Sequence, residues 1–328
     1  MRLIKLMLAG LTVLSLPVLS LPVVAANAGK PVIVATVSMV GDIVREIAGD
    51  HADVRVLIGE GIDPHLYKPT RNDVLALSRA DIIFYNGLLL EGRMSDALQR
   101  LKRSGKPVFA VSDLLAEDRL LLEEDDPSHY DPHIWMDVSL WAAAVDRVAV
   151  ALISLHPEWQ ASISTRQKNY QVKLKKLHEY VSQIISTIPD DRRILITAHD
   201  AFGYFGRAYG IQVMGIQGLS TESEAGLNDI NRLVDLLVDR NIDAIFAETS
   251  VADKNVRALI EGARSRGHRV IIGGSLFSDA MGSPGTYEGT YIGMLDHNAS
   301  TIAKSLGGTV PEGGFRMWVI TKGDLHEN

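Results

Sequence analysis

The longest uninterrupted helical pattern in the sequence lies at its centre. From Glu158 to Ile188 the chain contains neither glycine nor proline, and Pro157 and Pro189 stand at the two ends, where proline starts or stops a helix. A helix of this length would extend about 45 Å, which is more than one small domain needs. Apolar residues recur mostly at helical spacing along it: Ile163, Tyr170, Leu174, Leu177, Val181, Ile184 and Ile185.

This central helix constrains the organisation of the whole chain. We expect it to be a rigid spine between two lobes; a coiled-coil dimerisation arm is the alternative, although the repeat is short and irregular for heptads. The predicted parts are an N-terminal lobe over residues 29–155, the linking helix over 156–189 and a C-terminal lobe over 190–328. Lobes joined by one stiff helix should move little, so the ligand should be small or the change local.

Both lobes alternate short apolar runs with helical stretches, a pattern typical of βαβ units and mainly parallel sheets. The predicted fold class is therefore α/β, with two lobes joined by one long rigid backbone helix. The predicted strands of the first lobe are Val32–Thr36, Val54–Ile58, Ile82–Tyr85 and Val108–Val111. Those of the second lobe are Ile194–Thr197, Gln212–Met214, Ala244–Ala247 and Val270–Ile272.

Residues 1–28 have the pattern of a secretory signal peptide. A basic head with Arg2 and Lys5 precedes an uncharged apolar run, and the small residues Ala26 and Ala28 allow cleavage. A retained membrane anchor is the alternative, but prolines inside the run weaken it. No cysteine follows to carry a lipid, and no later segment is expected to cross a bilayer. We therefore expect a periplasmic protein, secreted by a cleaved signal peptide.

Charge and cysteine content exclude several functional classes. The 328 residues include 33 Lys and Arg against 40 Asp and Glu, a net charge of −7, so no nucleic-acid partner is expected. The chain has no cysteine, which excludes thiolate catalysis, cysteine-type zinc fingers, iron–sulfur clusters and disulfides.

Three histidines and one aspartate stand where open α/β sheets place their ligands. The tripeptide Asp-Pro-His occurs twice, ending at His65 and at His133, and proline stiffens both loops. His199 and Asp279 each follow a predicted strand, at the carboxyl ends where such sheets bind ligands. Two residues from each lobe would close one metal site between the lobes. Alternatively, the tripeptides are turn-capping segments and His199 is a hydrogen-bonded loop residue.

Two other acidic features have undecided roles. The run Glu123-Glu124-Asp125-Asp126, followed by His129, is typical of a solvated loop, and a weak ion-gathering role is the alternative. Glu248 follows a predicted strand, where it is either a carboxylate between the lobes or a structural hydrogen-bond acceptor.

The motifs around these residues resemble the metal-binding solute receptors of bacterial ABC importers for zinc and manganese, the cluster A-I or TroA-like family. The likeness spans essentially the whole mature chain. It is carried by Asp63-Pro64-His65-Leu66-Tyr67 with Pro69-Thr70, Tyr85-Asn86-Gly87 with Glu91, Asp131-Pro132-His133-Ile134-Trp135-Met136-Asp137, Thr197-Ala198-His199-Asp200-Ala201-Phe202-Gly203-Tyr204-Phe205 and Leu276-Phe277-Ser278-Asp279-Ala280-Met281-Gly282.

This resemblance implies a bilobed receptor with the metal buried in the cleft between the lobes. His65, His133, His199 and Asp279 match the family's four ligand positions. Relatives regarded as manganese receptors often have glutamate at the position of His199, so histidine favours the zinc or mixed type. Many zinc receptors carry a long histidine-rich loop that this chain lacks, which keeps manganese as the alternative cargo. The implied partners are a membrane permease and its cytoplasmic ATPase, and the implied state is a monomer.

The predicted function is capture of a divalent transition metal and its delivery to an ABC importer, without enzymatic activity. Three imidazoles and one carboxylate suit tetrahedral zinc, whereas manganese prefers more oxygen donors. One alternative is an exported zinc-dependent hydrolase, but the sequence has no H-E-x-x-H helix and no obvious base beyond Asp200. The other is an adhesin that uses the metal as a staple and would unfold without it.

Overall fold

The computed structural model describes residues 29–123 and 126–322. The predicted signal peptide and the middle of the acidic run lie outside the described residues. The strands of the N-terminal lobe are β1 at Val32–Val37, β2 at Asp53–Ile58, β3 at Ile82–Tyr85 and β4 at Val108–Ala110. They form one parallel sheet in the order β2-β1-β3-β4. The inner strand β1 is almost wholly buried, and its sequence is apolar except for Thr36.

One helix of this lobe corrects a prediction. The helices are α1 at Ser38–Ala48, α2 at Arg71–Arg79, α3 at Ser95–Arg103 and α4 at Val138–Leu155. The expectation that no segment after the leader could cross a bilayer is wrong by length and composition, since α4 meets both criteria. Half of α4 is buried inside the protein, where it packs against α1. Its apolar length therefore serves the core of the lobe.

The predicted spine is present as the helix α5, Gln160–Ser186. Its 27 residues extend about 40 Å, and a short 3-10 turn at Pro157–Trp159 precedes it, so the helix starts later than predicted. All seven apolar residues that predicted the helix are buried. They pack against α1 and α4 on one side and against the second lobe on the other. The apolar stripe is therefore used within the chain, as a spine requires.

The C-terminal lobe carries two parallel strand pairs. Its strands are β5 at Ile194–His199, β6 at Gln212–Gln217, β7 at Ala244–Glu248 and β8 at Ile271–Leu276, paired β5-β6 and β7-β8, with β5 and β7 in contact. Its helices are α6 at Gly203–Tyr209, α7 at Leu227–Asp239, α8 at Lys254–Ser265, α9 at Tyr291–Ser305 and α10 at Gly314–Thr321. Two lobes with parallel sheets and one long helix confirm the predicted fold class.

Strand β8 runs further than the sequence predicts. The predicted strand ends at Ile272, whereas Gly273 and Gly274 lie inside β8. A Cβ on Gly274 would lie 2.3 Å from the Thr301 side chain, so glycine lets α9 pack directly on this strand. The glycines are required for close packing, which a sequence pattern does not distinguish from a turn.

Buried aromatic side chains join the lobes at the base of the cleft. The indole N–H of Trp135 donates to the Ser278 carbonyl at 2.9 Å, and the Tyr291 hydroxyl donates to the Trp135 carbonyl at 2.7 Å. The Tyr204 hydroxyl donates to the Asp131 carbonyl at 2.9 Å. All three aromatic side chains are fully buried. Each of these three bonds therefore joins a residue of the N-terminal lobe to a residue of the C-terminal lobe.

Candidate metal centre

The structure brings the four predicted residues together at the cleft floor. His65 lies in the loop after β2, and His133 begins a short 3-10 turn at Ile134–Met136. His199 is the last residue of β5 rather than the first residue after it, and Asp279 follows the end of β8. One ligand atom from each residue lies within 4.8 Å of all the others, and all four residues are buried.

The donor atoms converge on one small volume. His65 Nε2 lies 3.3 Å from His133 Nε2. The two carboxylate oxygens of Asp279 face different imidazoles, with Oδ1 3.3 Å from His133 Nε2 and Oδ2 3.2 Å from His199 Nε2. Three imidazole nitrogens and a carboxylate are therefore grouped as one potential coordination shell.

Three atoms of this group lack hydrogen-bond partners within the described residues. They are Nε2 of His199 and both carboxylate oxygens of Asp279. Asp279 is 1% exposed and His199 0%, so both side chains are shielded from bulk solvent. Buried polar atoms without partners are costly and call for an explanation. Because these atoms point at a common centre, they are arranged as the ligands of a cation would be. Nitrogen and oxygen donors of this kind fit zinc.

Asp131 orients the imidazole of His133. Its Oδ1 accepts from the His133 backbone N–H at 2.8 Å and lies 2.7 Å from Nδ1 of the same residue. Burial lowers the pKa of His133, but the carboxylates of Asp131 and Asp279 outweigh it and raise the pKa to about 9. The carboxylate on Nδ1 leaves Nε2 directed at the centre, the arrangement in which metal-ligating histidines are usually held.

Glu248 does the same for His199. Its Oε1 accepts from the His199 backbone N–H at 2.9 Å, and its Oε2 lies 2.5 Å from Nδ1. Burial lowers the pKa of His199, but Glu248 and Asp279 raise it well above the ordinary value. Glu248 ends β7 beside β5, and within the described residues its side chain accepts from His199 of the same lobe.

The imidazole of His65 has a different environment. Among the described residues no carboxylate bonds to its ring, and Asp63 Oδ1 instead accepts from its backbone N–H at 2.8 Å. Burial is the main cause that lowers the pKa of His65 to about 3; the neighbouring His133 and His199 act in the same direction, and Asp279 opposes them. Burial raises the pKa of Asp279, but the two imidazoles His199 and His133 hold it well below its usual range.

Access to the centre is on the His65 side. A cavity of about 530 Å³ opens at the mouth of the cleft and reaches this ring. His65 is 6% exposed, whereas His133 and His199 are fully buried. The cavity walls include Leu88, Leu89, Arg93, His129, Tyr130 and Glu222. An ion entering from solvent would therefore meet His65 before the other donors.

The sequence identified the four converging residues but gave Asp131 no role beyond the turn. Both Asp-Pro-His segments form the expected turn, because each aspartate accepts from the backbone N–H of its histidine. Only Asp131 also reaches the imidazole of its histidine. The identical tripeptides contain no signal for this difference, since it depends on the direction of the histidine side chain.

Comparison with known proteins gives the family. Residues 33–305 match the family described as ZnuA, zinc-uptake complex component A, periplasmic. The chain belongs to this family. It is 47% identical over 283 residues to the zinc-binding protein TroA of Treponema pallidum (strain Nichols), covering 86% of this chain and 91% of that protein. It is 43% identical over 274 residues to the manganese-binding lipoprotein MntA of Bacillus subtilis (strain 168), covering 84% and 89%.

Solved structures of relatives share the fold. The periplasmic zinc-binding protein TroA from Treponema pallidum superposes with a TM-score of 0.82 at 46% identity, over 85% of this chain and 99% of that one. Fe(III)-bound YtgA from Chlamydia trachomatis superposes with a TM-score of 0.78 at 28% identity, over 86% and 100%. The predicted TroA-like family and its bilobed solute-binding fold are confirmed.

Proposed function

We propose that the chain is the solute-binding component of an ABC importer, which captures one divalent transition-metal ion and delivers it to the membrane permease. His65, His133, His199 and Asp279 would be the ligands. The observation that carries the proposal is the cluster of buried, unpartnered donor atoms in the cleft, namely His199 Nε2 and both Asp279 oxygens. A cation at their centre would supply the interactions that these atoms lack.

Two features favour metal transport over catalysis: the number of protein ligands and the hydrogen bonds of the nearby carboxylates. Four protein donors would fill a tetrahedral zinc shell and leave no position for a reacting water. The nearby carboxylates of Asp131 and Glu248 are already engaged by imidazole nitrogens, so they do not offer a general base. We therefore propose that the chain is not an enzyme. The buried apolar side chains of the chain form two large clusters, a core of a size that does not need a metal staple, and this argues against a metal-stapled adhesin.

The proposed cargo is zinc, with manganese as the alternative. The relative TroA is named a zinc-binding protein and MntA a manganese-binding lipoprotein, so the likeness to named proteins does not choose between the ions. Three nitrogens and one carboxylate resemble common zinc shells, and zinc binds ordinary N/O sites more tightly than manganese. A bidentate Asp279 would raise the coordination number to the five that manganese accepts more readily.

The cellular setting follows from the same proposal. Residues 1–28 would be removed on export, and the mature chain would be a monomer in the periplasm. It would consist of an N-terminal lobe at 29–155, a linking helix at 156–189 and a C-terminal lobe at 190–328. With no cysteine in the sequence, the chain would carry no lipid on an N-terminal cysteine. Its partners would be the permease and the attached cytoplasmic ATPase.

A competition titration of chelator-stripped mature protein with zinc and manganese tests the proposal. We expect one tightly bound zinc per chain and weaker binding of manganese. In His199→Glu the affinity for manganese relative to zinc should increase, because an oxygen donor replaces a nitrogen. No stoichiometric binding of either ion would reject both the four-ligand site and the transport function built on it. Equal binding of both ions would leave the choice of cargo to metal supply and the permease.

His129→Ala is the matched control for this titration. His129 also lines the cavity, but it pairs with Asp126 at 2.9 Å and lies outside the buried group. The equilibrium affinity of this variant should equal that of the wild type. A weakened affinity would instead favour the alternative role of the acidic run in gathering ions.

A further inference from the structure

The loop between β6 and α7 crosses the mouth of the cleft and contacts the opposite lobe. Two consecutive residues of this loop make the contacts. The Thr221 hydroxyl donates to Oδ2 of Asp63, and Glu222 pairs with Arg93 at 2.9 Å. Asp63 and Arg93 belong to the N-terminal lobe, so this loop connects the two lobes on the side where the cavity opens.

The two carboxylate oxygens of Asp63 accept hydrogen bonds from different lobes. Its Oδ1 accepts from the His65 backbone N–H at 2.8 Å, and its Oδ2 accepts from the Thr221 hydroxyl. Thr221 is only 8% exposed, so the bond across the lobes is largely shielded from water. One side chain therefore links the position of the C-terminal loop to the backbone turn that carries His65.

His65 is the ligand that depends most on such a link. Carboxylates of Asp131 and Glu248 fix the rings of His133 and His199 directly. The ring of His65 has no bond of this kind within the described residues, so its direction follows the turn that Asp63 stabilises. A change at Asp63 should therefore move this donor and leave the other two imidazoles in place.

We propose that Asp63 is a positioning residue that couples lobe closure, through Thr221, to the placement of His65 and so sets the rate of metal release. The inference rests on the proposed function. When the Thr221 bond breaks, the turn at Asp63 loosens and His65 leaves the shell toward the cavity. The ion is then held by fewer donors and dissociates faster. The same opening admits a new ion by the reverse path.

Two other contacts across the lobes lack this coupling. Arg93 and Glu222 have side chains that are 37% and 51% exposed, and such ion pairs are worth little. The Ser283 hydroxyl donates to the Glu60 carboxylate at 2.8 Å, which is also a hydroxyl–carboxylate bond between the lobes. Glu60 makes no hydrogen bond to His65 in the described structure. Ser283 therefore offers a matched control for Thr221.

The test is the rate of zinc dissociation from the zinc-loaded mature protein, followed by stopped-flow capture with excess chromogenic chelator. Thr221→Val removes the donor and keeps the shape of the side chain. We expect dissociation to accelerate roughly tenfold, equivalent to about 1.4 kcal/mol, with one zinc per chain and an unchanged Tm of the metal-free protein. Thr221→Ser keeps the hydroxyl and should restore the wild-type rate. Ser283→Ala should stay within about twofold of the wild type.

The possible results distinguish a failure of the coupling through Asp63 from a failure of the proposed transport function. Equal acceleration in Thr221→Val and Ser283→Ala would overturn the coupling, because any bond across the lobes would then have the same effect. An unchanged rate in Thr221→Val would also overturn it, while one zinc per wild-type chain would leave the transport proposal standing. If the wild type binds no zinc, both proposals fall. Should the valine variant fold poorly, Thr221→Ala is measured in its place with the same expected acceleration.

Discussion

The two Asp-Pro-His segments have the same sequence and different surroundings. In the second, Asp131 bonds to both the backbone and the ring of His133, and the histidine is fully buried. In the first, Asp63 bonds to the backbone of His65 and to the opposite lobe, and the ring borders an open cavity. One tripeptide therefore holds its histidine ring by a direct carboxylate contact, whereas the aspartate of the other bonds to the opposite lobe instead of the ring.

This difference divides the proposed shell into a rigid part and an adjustable part. His133 and His199 each have a carboxylate on Nδ1, and Asp279 lies between them at the base of the cleft. His65 is on the solvent side. A receptor needs tight binding and eventual release, and a shell with one adjustable ligand reconciles the two requirements.

The largest expected effect comes from removing a fixed imidazole. His133→Ala deletes a donor and leaves the buried Asp131 carboxylate without its ring partner, so the zinc Kd should rise by more than about 100-fold. His65→Ala should weaken zinc less, because water from the cavity can take the vacated position. Competition titration of both variants measures the difference. If His65→Ala is the more damaging variant, the division into fixed and adjustable ligands is wrong.

The two aspartates of the tripeptides provide a second contrast. Asp131→Asn keeps the shape but removes the charge beside His133, and we expect zinc binding to weaken by about 10- to 100-fold. Asp63→Asn should change the equilibrium affinity by less than about tenfold, because Asp63 does not touch an imidazole ring. The same titration decides between them, and equal losses for both variants would contradict the assigned roles.

Asp42 is a buried carboxylate that lacks the imidazole partner that Asp131 has. Burial is the main cause that raises its pKa to about 6, and Glu46 acts in the same direction. Hydrogen bonds from the Tyr291 backbone N–H and the Tyr170 hydroxyl, together with the charge of Arg45, oppose this rise. The folded protein therefore takes up a proton at a higher pH than the unfolded chain, whose pKa is 3.8. This group should stabilise the fold progressively as the pH falls from 7 to 4.5, by about 2 kcal/mol.

Urea unfolding of the metal-free wild type and of Asp42→Asn across this pH range measures that contribution. The free energy of unfolding of the variant should lack the gain that Asp42 provides, so the difference between the two proteins should change with pH. Parallel pH profiles would mean that Asp42 titrates at the same pH in the folded and unfolded chains.

The smallest effect is expected at the exposed ion pair of the cleft mouth. Arg93→Gln should reduce the free energy of unfolding by less than about 1 kcal/mol and change zinc dissociation by less than about twofold, because both side chains are solvated. Stopped-flow dissociation and urea unfolding measure the two quantities. An acceleration as large as that of Thr221→Val would assign the coupling to the ion pair instead of Asp63.

The architecture could be predicted because it depends on long, regular patterns. The glycine- and proline-free segment gave α5 within a few residues, and alternating strands and helices gave two parallel α/β lobes. The four proposed ligands were found because they follow strands or sit in stiff loops, which are local features. The misplaced end of β8 was not predictable, since Gly274 is required by contact with Thr301, a residue distant in sequence.

The partners of the ligands were harder to predict for the same reason. Glu248 reaches His199 only because β7 lies beside β5, and this neighbour relation is a property of the tertiary fold. Of the two aspartates in the tripeptides, only one contacts the ring of its histidine. Because the local sequences are identical, they do not predict this difference. The sequence therefore singled out the four residues that converge, whereas the tertiary fold determines which of their imidazoles a carboxylate orients.

The most direct test of the account is an anomalous diffraction experiment at the zinc edge on crystals of the zinc-loaded mature protein. We expect one strong peak in the cleft, within about 2.0–2.2 Å of nitrogen atoms of His65, His133 and His199 and of a carboxylate oxygen of Asp279. A peak at the acidic run near His129, with the four cleft residues making no contact to zinc, would contradict it.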